Sequence, residues 1–151
     1  MADLTVTISE SVNINGALRG SANSLSITDI EDTFERVVTC INGNVTTIAT
    51  FAAQPYTSAG AIDVDRCKYV RVTNLDTAAW IELAIVTTAS NYTVLLTPGT
   101  SHILAQAEAV ALAEEDTSPS FGTLENLASI QVKPVGVSFD PRVEIFAASI
   151  A

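Results

Sequence analysis

Basic residues are scarce in this chain. Seven lysines and arginines stand against seventeen aspartates and glutamates in 151 residues, a formal charge of −10. Nucleic-acid affinity rests on cations clustered over phosphates, and here Arg19, Arg36, Arg66, Lys68, Arg71, Lys133 and Arg142 are scattered along the sequence. The expectation is no nucleic acid and no membrane among the partners, because an anionic lipid surface needs the same clustered charge. No apolar run approaches the roughly 20 residues that cross a bilayer. "MADLTVTISE" also lacks the basic segment and apolar core of a signal peptide, so the protein is expected to be soluble and to start at its mature end. Cysteine is rare too: Cys40 and Cys67 form no CxxC motif. They read as buried free thiols, although one pair can in principle bridge. Charge of either sign is thin, at 16% of residues against about 25% in an ordinary soluble chain. That shortfall points to surface covered by other subunits.

What is present is β-branched alternation. A chain of this length suits a single domain, 1–151, with a core that needs no staples. "LTVTIS" alternates Leu4, Val6 and Ile8 with threonines, and Asn15-Gly16 is a turn dipeptide. Leu25 and Ile27, then "FERVVTCI", continue as strands, and Asn42-Gly43-Asn44 signals a hairpin before "VTTIATF". In "KYVRVTNLDTAAWIELAI", Val70 and Val72 alternate with Tyr69, Arg71 and Thr73, a polar turn follows at Asn74 and Asp76, and Ile81, Leu83 and Ile85 alternate again. This stretch reads as a hairpin. "YTVLL", a Pro98-Gly99 turn and "SHIL" come next, and Pro134 and Pro141 mark the two closing strands as edges or bulges. Short strands with turn signals every 8–12 residues or so argue for an all-β fold. The expected fold is an antiparallel β-sandwich or barrel with at most one short helix, near Ala105 to Glu114.

Chemistry is hard to find. His102 is the sole histidine, and Ser101 beside it points to the other face of a strand, with no G-x-S-x-G elbow in the sequence. Asp63 and Asp65 flank Val64 and would share a strand face, yet calcium needs six to eight oxygens and no D-x-D-x-D-G loop exists. Glu31, Asp32 and Glu35 beside Arg36 read as a solvated face, with a salt-bridged contact to a partner subunit as the alternative, and "AEED" (113–116) is too isolated for a catalytic carboxylate pair. Trp80 reads as a core anchor; the rival reading is a carbohydrate-stacking platform of Trp80, Tyr92 and Tyr56. With no Gly-rich phosphate loop either, the expectation is no enzyme, no cofactor and no metal.

Taken in order, "MADLTVTISESVNING", "RGSANSLSI", "ERVVTCI", "TTIATF", "CKYVRVTNLD", "YTVLLTPGTSHIL" and the ending "VEIFAAS" resemble the small β-rich virion proteins of tailed bacteriophages, especially marine and cyanobacterial ones. Those proteins carry a "KYVRITNLD"-type strand and turn, an "L.PG.S" turn and a similar last strand. Ala79-Trp80 stands where they often have Asn or Phe. The resemblance implies a virion structural protein made in the host cytoplasm: a capsid cement or decoration protein, often a homotrimer, over joints between major capsid proteins. The alternative is a tail, neck or baseplate component. A charge of −10 repels packaged DNA, which favours the outer capsid surface. The residues expected at subunit contacts are Leu4, Val6 and Ile8 of the first strand and Asn74, Asp76 and Trp80 of the turn.

Overall fold

The structure is a computed structural model that describes residues 2–54, 60–112 and 121–151. Its described residues are all-β, as the alternation requires, and two five-stranded sheets face each other across one core. The first strands are β1 (Ala2–Ser9), β2 (Val12–Ile14), β3 (Ala17–Arg19) and β4 (Ala22–Thr39). Then come β5 (Thr46–Ala52), β6 (Ile62–Asp63), β7 (Cys67–Asn74), β8 (Trp80–Thr87) and β9 (Asn91–Leu96). The series ends with β10 (Ser101–Leu104), β11 (Ala111–Leu112), β12 (Leu124–Glu125), β13 (Leu127–Val135) and β14 (Arg142–Ile150). The described part of the predicted helix, from Ala105 on, is bends followed by β11. Its backbone is taken up by other pairings: the Ala107 N–H bonds the Cys67 carbonyl, the Ala107 carbonyl accepts from the Leu127 N–H, and the Val110 N–H bonds the Glu125 carbonyl, so tertiary pairing overrides helix propensity. Residues 113–116 lie outside the described residues.

One sheet has the order β1-β4-β14-β7-β10, the other β6-β5-β13-β8-β9. All their pairings are antiparallel except the two-residue β5–β6 pair. The core between the sheets is the sum of the alternations. Val70 and Val72 on β7, with Val143, Ile145 and Ala147 on β14, face Ile81, Leu83 and Ile85 on β8 and Ile130 and Val132 on β13. Ile81, Leu83 and Ile85 are fully buried, each stabilising the fold by roughly 1.5–3 kcal/mol relative to exposure.

The turn signals are real, but most do not make hairpins. β7 and β8 lie in different sheets, so "KYVRVTNLDTAAWIELAI" is an arch that carries the chain across the core. Asn42–Asn44 does the same between β4 and β5, and Pro98-Gly99 between β9 and β10. β13 and β14, expected at edges or bulges, are the central strands of their sheets. Both carry register shifts, though away from the two prolines: at Leu127–Ser129 and Ile130–Gln131 on β13 and at Ala148–Ile150 on β14. Pro134 is tolerated because β13 pairs with β5 only from Ser129 to Val132, so no ladder bond is asked of it on that side. Pro141 precedes β14 and accepts a bond from the Cys40 N–H at 2.8 Å.

β4 is long enough to belong to two structures. Its C-terminal half pairs with β14, while its N-terminal half bends at Asp29, whose φ is +61°, and pairs with β1. The bend curls β1 over the outer face of its own sheet. Leu4, Val6 and Ile27 thereby reach Tyr69, Ala148 and Phe146 and form a second, smaller core.

Candidate interaction surface

Past Ser9 the β1–β4 ladder continues as β2–β3, closed by Asn15-Gly16 with φ values of +52° and +79°. Positive φ at both central residues matches a type I′ turn, which Asn-Gly favours. The result is one long hairpin in which every residue from Thr7 to Ser26 is exposed. From Ser9 to the tip it reaches about 20 Å at some 3.3 Å per residue. Val12, Ile14 and Ala17 share one face by register, and Leu18 occupies the other. Ile14 is 55% and Leu18 74% exposed. Residues 7–26 carry one acid, Glu10, and one base, Arg19, so this arm is neutral on a molecule of charge −10. A net-neutral projection with Val12, Ile14 and Leu18 exposed near its tip is the feature here that most calls for a partner.

Beneath the arm, the curled sheet encloses an apolar cleft of about 400 Å³ lined by Leu4, Val6, Ile8, Tyr69, Ile103 and Phe146. A smaller apolar hollow continues it past Leu25. Arg71, at one wall, pairs with Glu144, which leaves the cleft without net charge.

Of the expected contact residues, Leu4 and Val6 are half-buried in the second core, and Ile8 is exposed at its mouth. The first strand is thus part of the fold; the projecting element is the β2–β3 tip, which the sequence showed only as a turn dipeptide. Asn74 is fully buried and out of a partner's reach. Its amide donates to the Ala79 carbonyl at 2.8 Å and the Leu96 carbonyl at 3.1 Å, and its side-chain oxygen accepts from the Asp76 N–H at 3.0 Å. Asp76 accepts from the Ala78 and Ala79 N–H groups, which hold its carboxyl below the usual range. Trp80 is 49% exposed rather than a core anchor: it opens β8, and Ile81 takes the inward position. Five positions along β8 separate it from Ile85, the partner of Tyr92, so Trp80 and Tyr92 form no common platform; Tyr56 lies outside the described residues.

The chemical candidates resolve into structural contacts. His102 Nε2 lies 3.4 Å from the Tyr92 hydroxyl, ring against ring in an edge geometry, and burial holds its pKa below the ordinary histidine value. Ser101 Oγ instead meets Thr73 Oγ1 at 2.7 Å on the other face. Asp63 and Asp65 do not share a strand face: β6 ends at Asp63, whose carboxylate accepts from the Asp65 N–H in the turn that follows. Among the described residues no three His, Cys, Asp or Glu side chains group as metal ligands. A second concavity of about 550 Å³ runs past Glu31, Asp63 and Arg66; Arg66 lies 4.0 Å from Glu31 and 3.5 Å from Asp63, so its charge is already neutralised toward any anion. Cys40 and Cys67 are buried free thiols, and burial pushes Cys40 up to about 11.

No family model matches this sequence, and no curated protein matches it.

Proposed function

We propose that the chain is a non-enzymatic structural protein of a tailed-bacteriophage particle. It acts as a decoration or cement protein on the outer shell, seated at joints between major capsid proteins. The observation that carries this reading is the net-neutral, exposed hairpin arm of residues 7–26 with Val12, Ile14 and Leu18 at its tip. A projecting arm grips by burying such residues against a neighbour, at roughly 25 cal/mol per Å² of apolar surface removed from water. The resemblance along the chain supplies the kind of particle, and the −10 charge favours its outer face over its DNA-filled interior. A homotrimer presents three arms to the lattice, and linkage raises their effective concentration without new contacts.

Two measurements test this. Staining of purified particles should give hundreds of copies; a few tens or fewer would move the protein to tail, neck or baseplate. Replacing Ser11–Gly20 with Asn-Gly shortens the arm where the Glu10 N–H already bonds the Ser21 carbonyl. This variant should stay folded and lose most of its particle occupancy. Full occupancy without the tip would refute the gripping arm.

A further inference from the structure

The curled sheet has two open edges, β1 and β10, and both line the same apolar cleft. Every pairing between them is antiparallel, through β1–β4, β4–β14, β14–β7 and β7–β10. Five strands that alternate in direction leave the two outermost running the same way. A single strand running opposite to both would therefore pair antiparallel on each side and close the half-barrel into six strands. Two added strands would force a parallel pair, which a single one avoids.

The edges carry the bonds for it. The Glu10 N–H bonds the Ser21 carbonyl, so by alternation residues 8, 6 and 4 face β4, and the backbone groups of Thr5 and Thr7 point to the open side. The Asn74 N–H bonds the Thr100 carbonyl, which puts Val72 and its partner His102 in the bonded ladder and turns the backbone of Ser101 and Ile103 outward. Between the edges, Val6, Ile8, Tyr69 and Ile103 give apolar seats for alternate side chains.

We propose that this gap is a receptor for one extended arm of another protein. The arm alternates apolar residues, which face the cleft, with polar and cationic ones, which face out. The hydrogen-bonding edges supply affinity and the apolar seats supply register. Its cationic face follows from the −10 charge, which steers a basic segment in and repels an acidic one. A second copy of this chain fits less well, since its projecting element is a two-stranded hairpin and not a single strand. The proposal rests on the assembly reading above for its biological setting, but it is tested without any particle.

The probe is an eight-residue peptide, the length of β1, with valine at alternate positions and lysine or threonine between. Titrated into isotope-labelled protein, it should bind saturably with a Kd below about 1 mM and shift the amide signals of Thr5, Thr7, Ser101 and Ile103. The same peptide with glutamate for lysine, or N-methylated at alternate amides, should bind at least about tenfold more weakly, since charge steering or edge bonds are lost. Ile103→Pro removes an outward N–H at an edge, where proline is tolerated, and should abolish binding while the melting curve stays near wild type. If it does not fold, the N-methylated peptide tests the same bonds with the protein untouched. Absence of saturable binding, equal binding of the glutamate peptide, or shifts confined to other strands would overturn the proposal. Self-association lost in Ile103→Pro would also overturn it, by giving the gap to a second copy. Peptide binding with full particle occupancy of the arm-shortened variant would refute the arm and leave the gap intact.

Discussion

Asn74 sits where two crossings between the sheets meet. Its side chain bonds Ala79 at the far end of the β7–β8 arch and Leu96 at the end of β9, while its backbone holds Gly99 and Thr100 of the β9–β10 arch. Asn74→Ala leaves two carbonyls unpaired in a buried site and should cost roughly 2–4 kcal/mol. Urea unfolding would show this as a lower midpoint with an unchanged slope. Acid should also weaken the fold. Glu125 accepts from the Thr87 hydroxyl and the Ala89 N–H, and Asp76 from two N–H groups, so both carboxyls are held below their ordinary 4.5 and 3.8. A depressed folded-state pKa gives stability that is present above the unfolded value and lost as pH falls through the folded one. The melting temperature should therefore be flat from neutrality to about pH 5 and fall below it, and Glu125→Gln should lessen that fall. Cys40 and Cys67, buried and with raised pKa values, should resist thiol reagents until the protein unfolds; rapid labelling of the native protein would contradict their burial.

At the scale of elements, the hairpin arm depends on one close backbone approach. Gly20 has a φ of +117°, and a Cβ there would stand 2.1 Å from the Glu10 carbonyl oxygen. Gly20→Ala should break the ribbon at its waist, which amide exchange would report as lost protection from residue 11 to 20. The sandwich should keep its unfolding free energy within about 0.5 kcal/mol of wild type, because the arm adds nothing to the main core. The inward set of β8, Ile81, Leu83 and Ile85, was legible in the sequence because one face of each strand is buried, and so was the Asn15-Gly16 turn. The arches were not. A turn signal says where the chain reverses, and Val70, Val72 and Ile81 alternate identically whether their strands lie side by side or face each other across a core. Trp80 failed for a related reason: only register decides whether the inward position falls on it or on Ile81. Of the candidate surface, Leu4, Val6 and Ile8 were readable as a strand, but the cleft they line was not. It depends on the bend at Asp29 and on β10 arriving from far along the chain.

For the whole molecule, the contrast between an acidic body and a neutral arm predicts the response to salt. Lowering the Debye length from about 30 Å at 0.01 M to about 3 Å at 1 M should strengthen association between copies, the reverse of what a nucleic-acid binder shows. Sedimentation at the two ionic strengths would read this directly. The position of β13 and β14 has a consequence of another kind. Each is the middle strand of its sheet, and each lies in the last stretch of the chain; the Asn42 N–H waits for the Asp140 carboxylate, 98 residues downstream. During synthesis, then, β5 and β8 have no strand to join them until Leu127–Val135 has been made, nor have β4 and β7 until Arg142–Ile150 has. A nascent chain stopped after Asn126 should remain open to protease along most of its length, and protection should appear once β13 and β14 have emerged. Folding waits on β13 and β14, so a chain broken before them yields no half-built subunit able to occupy a place in an assembly.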